Sequence, residues 1–487
     1  MTGPPGSTPI ASTGRAPSGA ALWARSGVWI GLAGSVLVAL GATSDGFSFN
    51  PDGWGVGAIA RLARVIDRST GNLLIALGCV VLSLGWMLLV PRPGRPTPAR
   101  LWLIWSVPLL VVPPVMSGDP FLYADLGWIL HQGGNPYVDV MGSMGGPFAP
   151  FIDTFWAGNG VAYPPLALEV SRLAVQLGGL HAYWGVIAQR VPALIGMGLM
   201  AFFLPRLAGH LKVDRAWAIW LGVLNPIAIV HLVGGAHNDT LMAGMVIFAI
   251  WLSVQAVPRI SASLVLAPIV IGIAMALKQQ AGLAVIAAAG LPVAAQLVQL
   301  PRLQRIAVLG WRTAVAAVIA LVTFVAVSLA TGLGFGWTLW LSQMGRARTL
   351  TLSVLIGDAL ARTGTDFTEP ASLLLAGLAI AGLVALLLFR TERPLEITAW
   401  GSVLVLFIGQ ALHPWYVGLS LALIALLPLG RSACRAVVFC TFGYLMAYCV
   451  NNLYNQAGLV SVAAGAALAV LCYAILLGRS QGPTRLG

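Results

Sequence analysis

The chain reads as an all-α polytopic membrane protein, and three observations lead there. Hydrophobic residues make up 58% of its 487 residues and charged ones 9%, and the mean hydropathy is +0.88. That is far more apolar surface than a soluble core of this size hides. The apolar residues come in blocks of roughly 17–25, the length that crosses a bilayer. The charges fall between the blocks, with opposite bias on alternate connections. In a soluble chain the net charge of +12 would point to nucleic acid. Here it orients the chain in a membrane, and no nucleic-acid partner is expected.

Taken in order, residues 1–24 are rich in Pro, Gly, Ser and Thr and read as a disordered tail without the order of a signal peptide. A single transmembrane domain, 25–478, holds about fourteen candidate spans. They are 27–44, 71–90, 101–117, 184–204, 216–234, 239–257, 261–277, 279–298, 309–331, 371–389, 395–412, 414–430, 436–451 and 456–477. An even number returns the chain to its starting side, so the tails 1–24 and 479–487 share it. About two-thirds of the 27 Lys and Arg lie in tails and connections on that side, Arg95, Arg100, Arg206, Lys212 and Arg305 among them, but only Asp214, Glu392 and Glu396 of the 15 acids do. The positive-inside rule makes it the cytoplasmic face of a plasma membrane. The five cysteines lie in apolar segments without paired or metal-ligand spacing and read as small hydrophobes.

The longest stretch that cannot span, 119–166, is broken by Gly, Pro and Asn and belongs to a first large extracytoplasmic loop, 118–183. Asp119, Asp125, Asp139, Asp153 and His131 lie in it, and no Lys or Arg falls between Arg100 and Arg172. Residues 164–180 carry Glu169 and Arg172 among leucines and read as an amphipathic helix lying in the interface, as does 122–132. A second extracytoplasmic loop is expected at 332–370.

Asp119 ends an uncharged run, so a rigid helix end presents its carboxylate at the membrane surface. It suits a general base, although Asp before Pro also starts helices well. Tyr123 and Asp125 follow on the same segment. His237, Asn238 and Asp239 reach the same outer level after Gly234-Gly235 and suit hydrogen bonding to a sugar or phosphate, while Asp239 as a helix cap is equally open. Lys278 between two apolar spans offers a point charge for a phosphate, or else snorkels. The guanidinium forks of Arg346 and Arg348 suit phosphate oxygens or lipid headgroups. His413, Trp415 and Tyr416 offer rings for sugar stacking or form an interfacial aromatic belt. Convergence of these groups on one face is stronger than any single cluster. A metal site of Asp119, His237 and Asp239 is short of ligands, so no cofactor is required, although a divalent metal remains open.

Asp119-Pro120-Phe121-Leu122-Tyr123, Gly134-Asn135-Pro136-Tyr137, Tyr163-Pro164-Pro165-Leu166, Asn225-Pro226, the run Gly234 to Met242 and His413-Pro414-Trp415-Tyr416 together resemble the motifs of actinobacterial polyprenol-phosphomannose-dependent alpha-1,6-mannosyltransferases, which are GT-C membrane glycosyltransferases. The resemblance covers about residues 100–430. It implies a GT-C fold of about 13–14 transmembrane helices and an Asp base in the first large extracytoplasmic loop, at the position of Asp119. It also implies a polyprenyl-phosphate-mannose donor and a mannan lipoglycan acceptor in lipomannan and lipoarabinomannan backbone synthesis. The mechanism of such a transfer, rather than the resemblance, leads to the expectation that Tyr123, Asp125, Tyr163, His237, Asn238, Asp239, His413, Trp415 and Tyr416 contact sugar, and Lys278, Arg346 and Arg348 the donor phosphate. The chain departs at Tyr163-Pro164-Pro165-Leu166, where Tyr-Gly-Pro-Leu is expected, and at Gln279-Gln280, where a Pro is common. Another sugar, arabinose or glucose, fits the same residues. A transporter or flippase would need paired halves with matching broken helices, and the chain has no such internal repeat.

Overall fold

The computed structural model describes residues 26–44, 55–92, 97–255, 261–345, 347–361 and 364–472. Every element in it is helical, the arrangement that satisfies backbone polar groups inside a bilayer. Six helices are long and apolar enough to cross a membrane: Arg68–Leu88, Ala182–His210, Gln279–Gln299, Arg302–Ala330, Thr368–Phe389 and Arg431–Tyr454. Six shorter apolar helices accompany them: Ser26–Ala42, Asp239–Ser253, Ala262–Met275, Pro394–Val405, Pro414–Ile424 and Gly458–Cys472. The molecule is a multi-pass helical membrane protein. Thr368–Phe389 turns Leu373, Leu374, Leu378 and Ile380 outward, as a helix against lipid does. Both expected tails, 1–24 and 479–487, fall outside the described residues.

Two expected spans are not continuous helices. In 101–117 the helix stops at Leu109, because Pro113 and Pro114 supply no backbone donors. In 216–234 regular helix covers Arg215–Gly222, and after a break a π-helical turn covers Ala228–Gly234. Pro226 accounts for the break, and Asn225 caps it: its side-chain oxygen accepts from the backbone of Ala228 at 2.9 Å.

Helix pairing rests on small residues and on paired polar groups. Ser26–Ala42 and Arg68–Leu88 run antiparallel along a seam of glycines seven residues apart. A Cβ at Gly27, Gly34 or Gly41 would stand 2.9, 2.8 or 2.5 Å from the carbonyl oxygens of Gly85, Gly78 and Gly71. Only glycine lets the two backbones come so close, the packing that lipid favours. Trp86 and Trp220 stack at 4.2 Å, and each indole N–H donates to the other's carbonyl, at 2.9 and 2.8 Å. The chain's far ends meet as well, where the Asn72 amide donates to the carbonyl of Leu453 at 2.7 Å.

The first large loop contains the two expected helices, Asp119–His131 and Pro165–Leu177. The first begins at Asp119, three residues ahead of the expected start, and is buried along most of its length. The second keeps Leu168, Ser171, Ala174 and Val175 inward and Leu173 and Leu177 outward, the two-faced pattern of an interfacial helix. They cross at Gly127, where a Cβ would lie 2.6 Å from the carbonyl of Ser171.

Candidate active site

Two turns carry the central residues, and both are held in backbone conformations that side chains larger than glycine rarely adopt. Met116, three residues before Asp119, has φ 52°, and Ala236, beside His237, has φ 54°. Such strain persists only where the surroundings fix it. Here Val115 N–H donates to the carbonyl of Gly234 at 3.1 Å. The buried Arg190 guanidinium donates through Nη2 to both Gly234 (2.9 Å) and Pro113 (3.2 Å). One side chain therefore ties the segment leading to Asp119 to the segment leading to His237.

Asp119 is the first residue of its helix, but its carboxylate does not cap it; it accepts from the Tyr123 hydroxyl at 3.3 Å, one turn on. His237 Nδ1 lies 3.6 Å from the same carboxylate oxygen and 3.5 Å from the Tyr123 hydroxyl. Burial pushes Asp119 up to about 6, with Lys278 pulling it down and Asp239 pushing it further up. Burial first, then the charges of His231 and Lys278, hold His237 well below its ordinary value, so the imidazole beside Asp119 is neutral. A carboxylate with a raised pKa, open to a cavity and hydrogen-bonded by one hydroxyl, is suited to accept a proton near neutral pH.

Asp239 and Lys278 form an ion pair at 2.6 Å, with the Asp239 side chain 2% exposed. Asp239 is thus a partner for Lys278 and not a helix cap, and Lys278 is held in place and does not snorkel. The ammonium also sits 4.3 Å above the Tyr416 ring. Gln280 lies at the edge of hydrogen-bond reach of the same Asp239 oxygen, at 3.5 Å.

A cavity of about 520 Å³ joins these groups, within the range of small-ligand sites, about 300–1,000 Å³. Asp119, Tyr163, Lys278, His413 and Tyr416 all line it, although they come from segments up to 297 positions apart in the chain. Tyr123, His237 and Asp239 stand directly behind them. Tyr163 is set by a turn into the following helix, in which Pro164 is extended and Pro165 opens the helix, and its carbonyl accepts from the Tyr137 hydroxyl at 2.7 Å.

Other expected residues lie elsewhere. Asp125, six residues after Asp119, is rotated about 240° around the helix and its carboxylate accepts from Gly142 N–H at 2.8 Å; it braces the loop away from the cavity. Trp415 offers no face to a sugar, because its indole is sandwiched between His237 at 3.6 Å and His413 at 4.4 Å. Asn238 leaves its side-chain oxygen buried without a partner. Arg348 pairs with Asp366 at 2.8 Å in an exposed position and only its neighbour Ala347 lines the cavity, while Arg346 lies outside the described residues. Among the described residues no three His, Cys, Asp or Glu side chains converge on a metal position.

Three residues of the site, Arg190, Trp156 and Trp340, belong to no motif in the sequence. Trp156 and Trp340, both on the cavity wall, are single aromatics in loops 184 positions apart. A charge opening an otherwise apolar helix was the one available sign for Arg190.

A family model described as "Alpha-(1->6)-mannopyranosyltransferase, N-terminal domain" matches residues 28–295, a range that includes Asp119, His237, Asp239 and Lys278. Alpha-(1->6)-mannopyranosyltransferase A of Mycobacterium tuberculosis is 30% identical over 84% of this chain and 81% of its own length. Alpha-(1->6)-mannopyranosyltransferase B of Corynebacterium glutamicum is 25% identical over 83% and 73%. Among solved structures, ArnT of Cupriavidus metallidurans bound to undecaprenyl phosphate superposes over 77% of this chain and 76% of its own, with a TM-score of 0.40 and 14% identity. The chain belongs to the alpha-(1->6)-mannopyranosyltransferase family.

Proposed function

We infer that the protein is a GT-C-type inverting glycosyltransferase of the plasma membrane, working on the extracytoplasmic face. It moves mannose from polyprenyl-phosphate-mannose to the 6-hydroxyl of an alpha-1,6-mannan acceptor, in lipomannan and lipoarabinomannan backbone synthesis. The observation that carries this reading is one cavity flanked by a base and a cation: Asp119 with its raised pKa, and Lys278 fixed by Asp239.

Asp119 takes the proton from the 6-hydroxyl of the acceptor's terminal mannose. That oxygen forms the new bond to the donor's anomeric carbon as the bond from that carbon to the phosphate oxygen breaks, and the electron pair leaves with the polyprenyl phosphate. Attack from the face opposite the phosphate turns a beta-linked donor into an alpha product. A phosphate leaves without a strong acid, so the chemistry asks for a base and for positive charge near the departing oxygens. Lys278 supplies that charge, and the second loop, which reaches the cavity at Ala347, brings Arg346 and Arg348 as further cations for the phosphate once donor is bound. Tyr163, His413 and Tyr416 border the sugar, and the Tyr123 hydroxyl holds the Asp119 carboxylate, with the neutral His237 ring beside it.

The test is transfer of labelled mannose from polyprenyl-phosphate-mannose to a short alpha-1,6-mannoside by purified protein. Wild type is expected to give product, and Asp119→Asn, folded by thermal unfolding, to lose about 10²–10⁴ of the turnover. Near-normal turnover in the variant would remove Asp119 from the mechanism. No product from wild type would reject the donor or the acceptor.

A further inference from the structure

We propose that Trp156 and Trp340 form a carbohydrate subsite that receives the acceptor, stacking the pyranose next to the one whose hydroxyl reacts. The assignment rests on the reading of this cavity as the transfer site.

The cavity has two unlike walls. One is aliphatic, made by Val405, Leu406, Ile408 and Ala411, and suits a prenyl chain. The other is built from Met141, Trp156 and Trp340, on two loops that pack into a small apolar cluster of their own with Leu122, Tyr137 and Val161, separate from the main core. Asp119, Tyr163 and Lys278 lie on the same cavity surface.

Trp340 is fixed at two points. Its indole N–H donates to the carbonyl of Tyr137 at 3.0 Å, and its ring lies against the backbone of Gly160, where a Cβ would strike it. Tyr137 in turn donates its hydroxyl to the carbonyl of Tyr163 at 2.7 Å. The ring therefore holds a set position relative to the cavity-lining Tyr163. Trp156 is held in a closed turn: its N–H donates to the carbonyl of Asp153 at 2.9 Å and its carbonyl accepts from the Asn159 amide at 3.1 Å. Both indoles are half-buried, Trp340 anchored through its indole N–H and Trp156 through its backbone, with apolar surface left toward a cavity that must admit a sugar. A pyranose carries its C–H bonds on one face and its hydroxyls at the rim, so it covers such a ring while its hydroxyls stay wet. Trp415, the more obvious aromatic, is unavailable because both its faces are covered.

Two measurements decide the matter: saturation-transfer NMR with alpha-1,6-mannotriose in the absence of donor, and the acceptor and donor KM in the transfer assay. Trp340→Ala and Trp156→Ala are each expected to weaken saturation of the sugar protons and to raise the acceptor KM about tenfold, with the donor KM unchanged. Trp340→Phe, which keeps a ring, is expected to recover most of both and serves as the readout if Trp340→Ala fails to fold. An unchanged acceptor KM in the alanine variants, a raised donor KM instead, or no saturation with wild type overturns the subsite. Saturation with wild type that is lost in Trp340→Ala, without mannose transfer by either, upholds the subsite and rejects the reaction.

Discussion

Asp119 titrates at about 6 because two effects oppose each other: burial raises it, and the positive charge of Lys278 lowers it. A base acts only when ionised, so kcat/KM is expected to climb as pH rises through about 6 and to level off above. Lys278→Met removes the lowering charge and leaves Asp239, whose charge raises Asp119 further. The acid limb of the pH–rate profile should therefore move to higher pH; a limb that stays in place would mean that another group titrates. The same substitution strands a buried carboxylate and is expected to cost about 3–5 kcal/mol of stability. Asp239→Asn in the Lys278→Met background should restore part of it in thermal unfolding. At this scale the sequence was legible where a charged residue stood out against apolar neighbours, as Asp119, Asp239 and Lys278 do. It was not legible where side-chain direction decides, as for Asp125 turned toward Gly142 or Trp415 enclosed between two imidazoles, because spacing along the chain does not say which face of a ring is covered.

The turns that carry Asp119 and His237 depend on a helix that contributes nothing else to the chemistry, through Arg190. Arg190→Lys keeps the charge but replaces the planar guanidinium by a shorter, strongly hydrated ammonium, which does not set one nitrogen between the carbonyls of Pro113 and Gly234 as Nη2 does. Since small misplacements are costly, kcat/KM is expected to fall on the order of 10²-fold with the acid limb still near 6, and steady-state kinetics across pH separates this from loss of the base. Along the glycine seam, Gly78→Leu would drive a side chain into the backbone of Gly34 and should destabilise by at least about 1–3 kcal/mol. In thermal unfolding of detergent-solubilised protein this lowers Tm, while the surviving folded fraction keeps its acceptor KM. The helices themselves were readable from apolar length. Their breaks at Leu109 and after Gly222 follow from Pro113, Pro114 and Pro226, whereas the meeting of the two glycine series depends on how one backbone approaches another and shows only in the assembled fold.

For the molecule as a whole, the positive-inside rule predicts that the loops bearing Asn159 and Trp340 face outward and that Lys212 faces the cytoplasm. With the five native cysteines replaced, Asn159→Cys in intact cells is expected to react with a membrane-impermeant maleimide, and Lys212→Cys only after lysis; the reverse pattern would invert the topology. The closure between distant parts of the chain also bears on biosynthesis. The segment before Asp119 is packed by residues near the end of the last long helix, where the Cys449 thiol meets the Met116 sulfur at 3.9 Å. That helix emerges roughly 330 residues after Asp119, so at about 5–20 residues per second the ribosome needs on the order of 20–70 s to deliver it. Through most of that interval the nascent protein would hold Asp119 without residues 340–416 of its cavity wall. On the proposed mechanism, chains released early are expected to be inert, with no sugar transferred by a partly inserted protein.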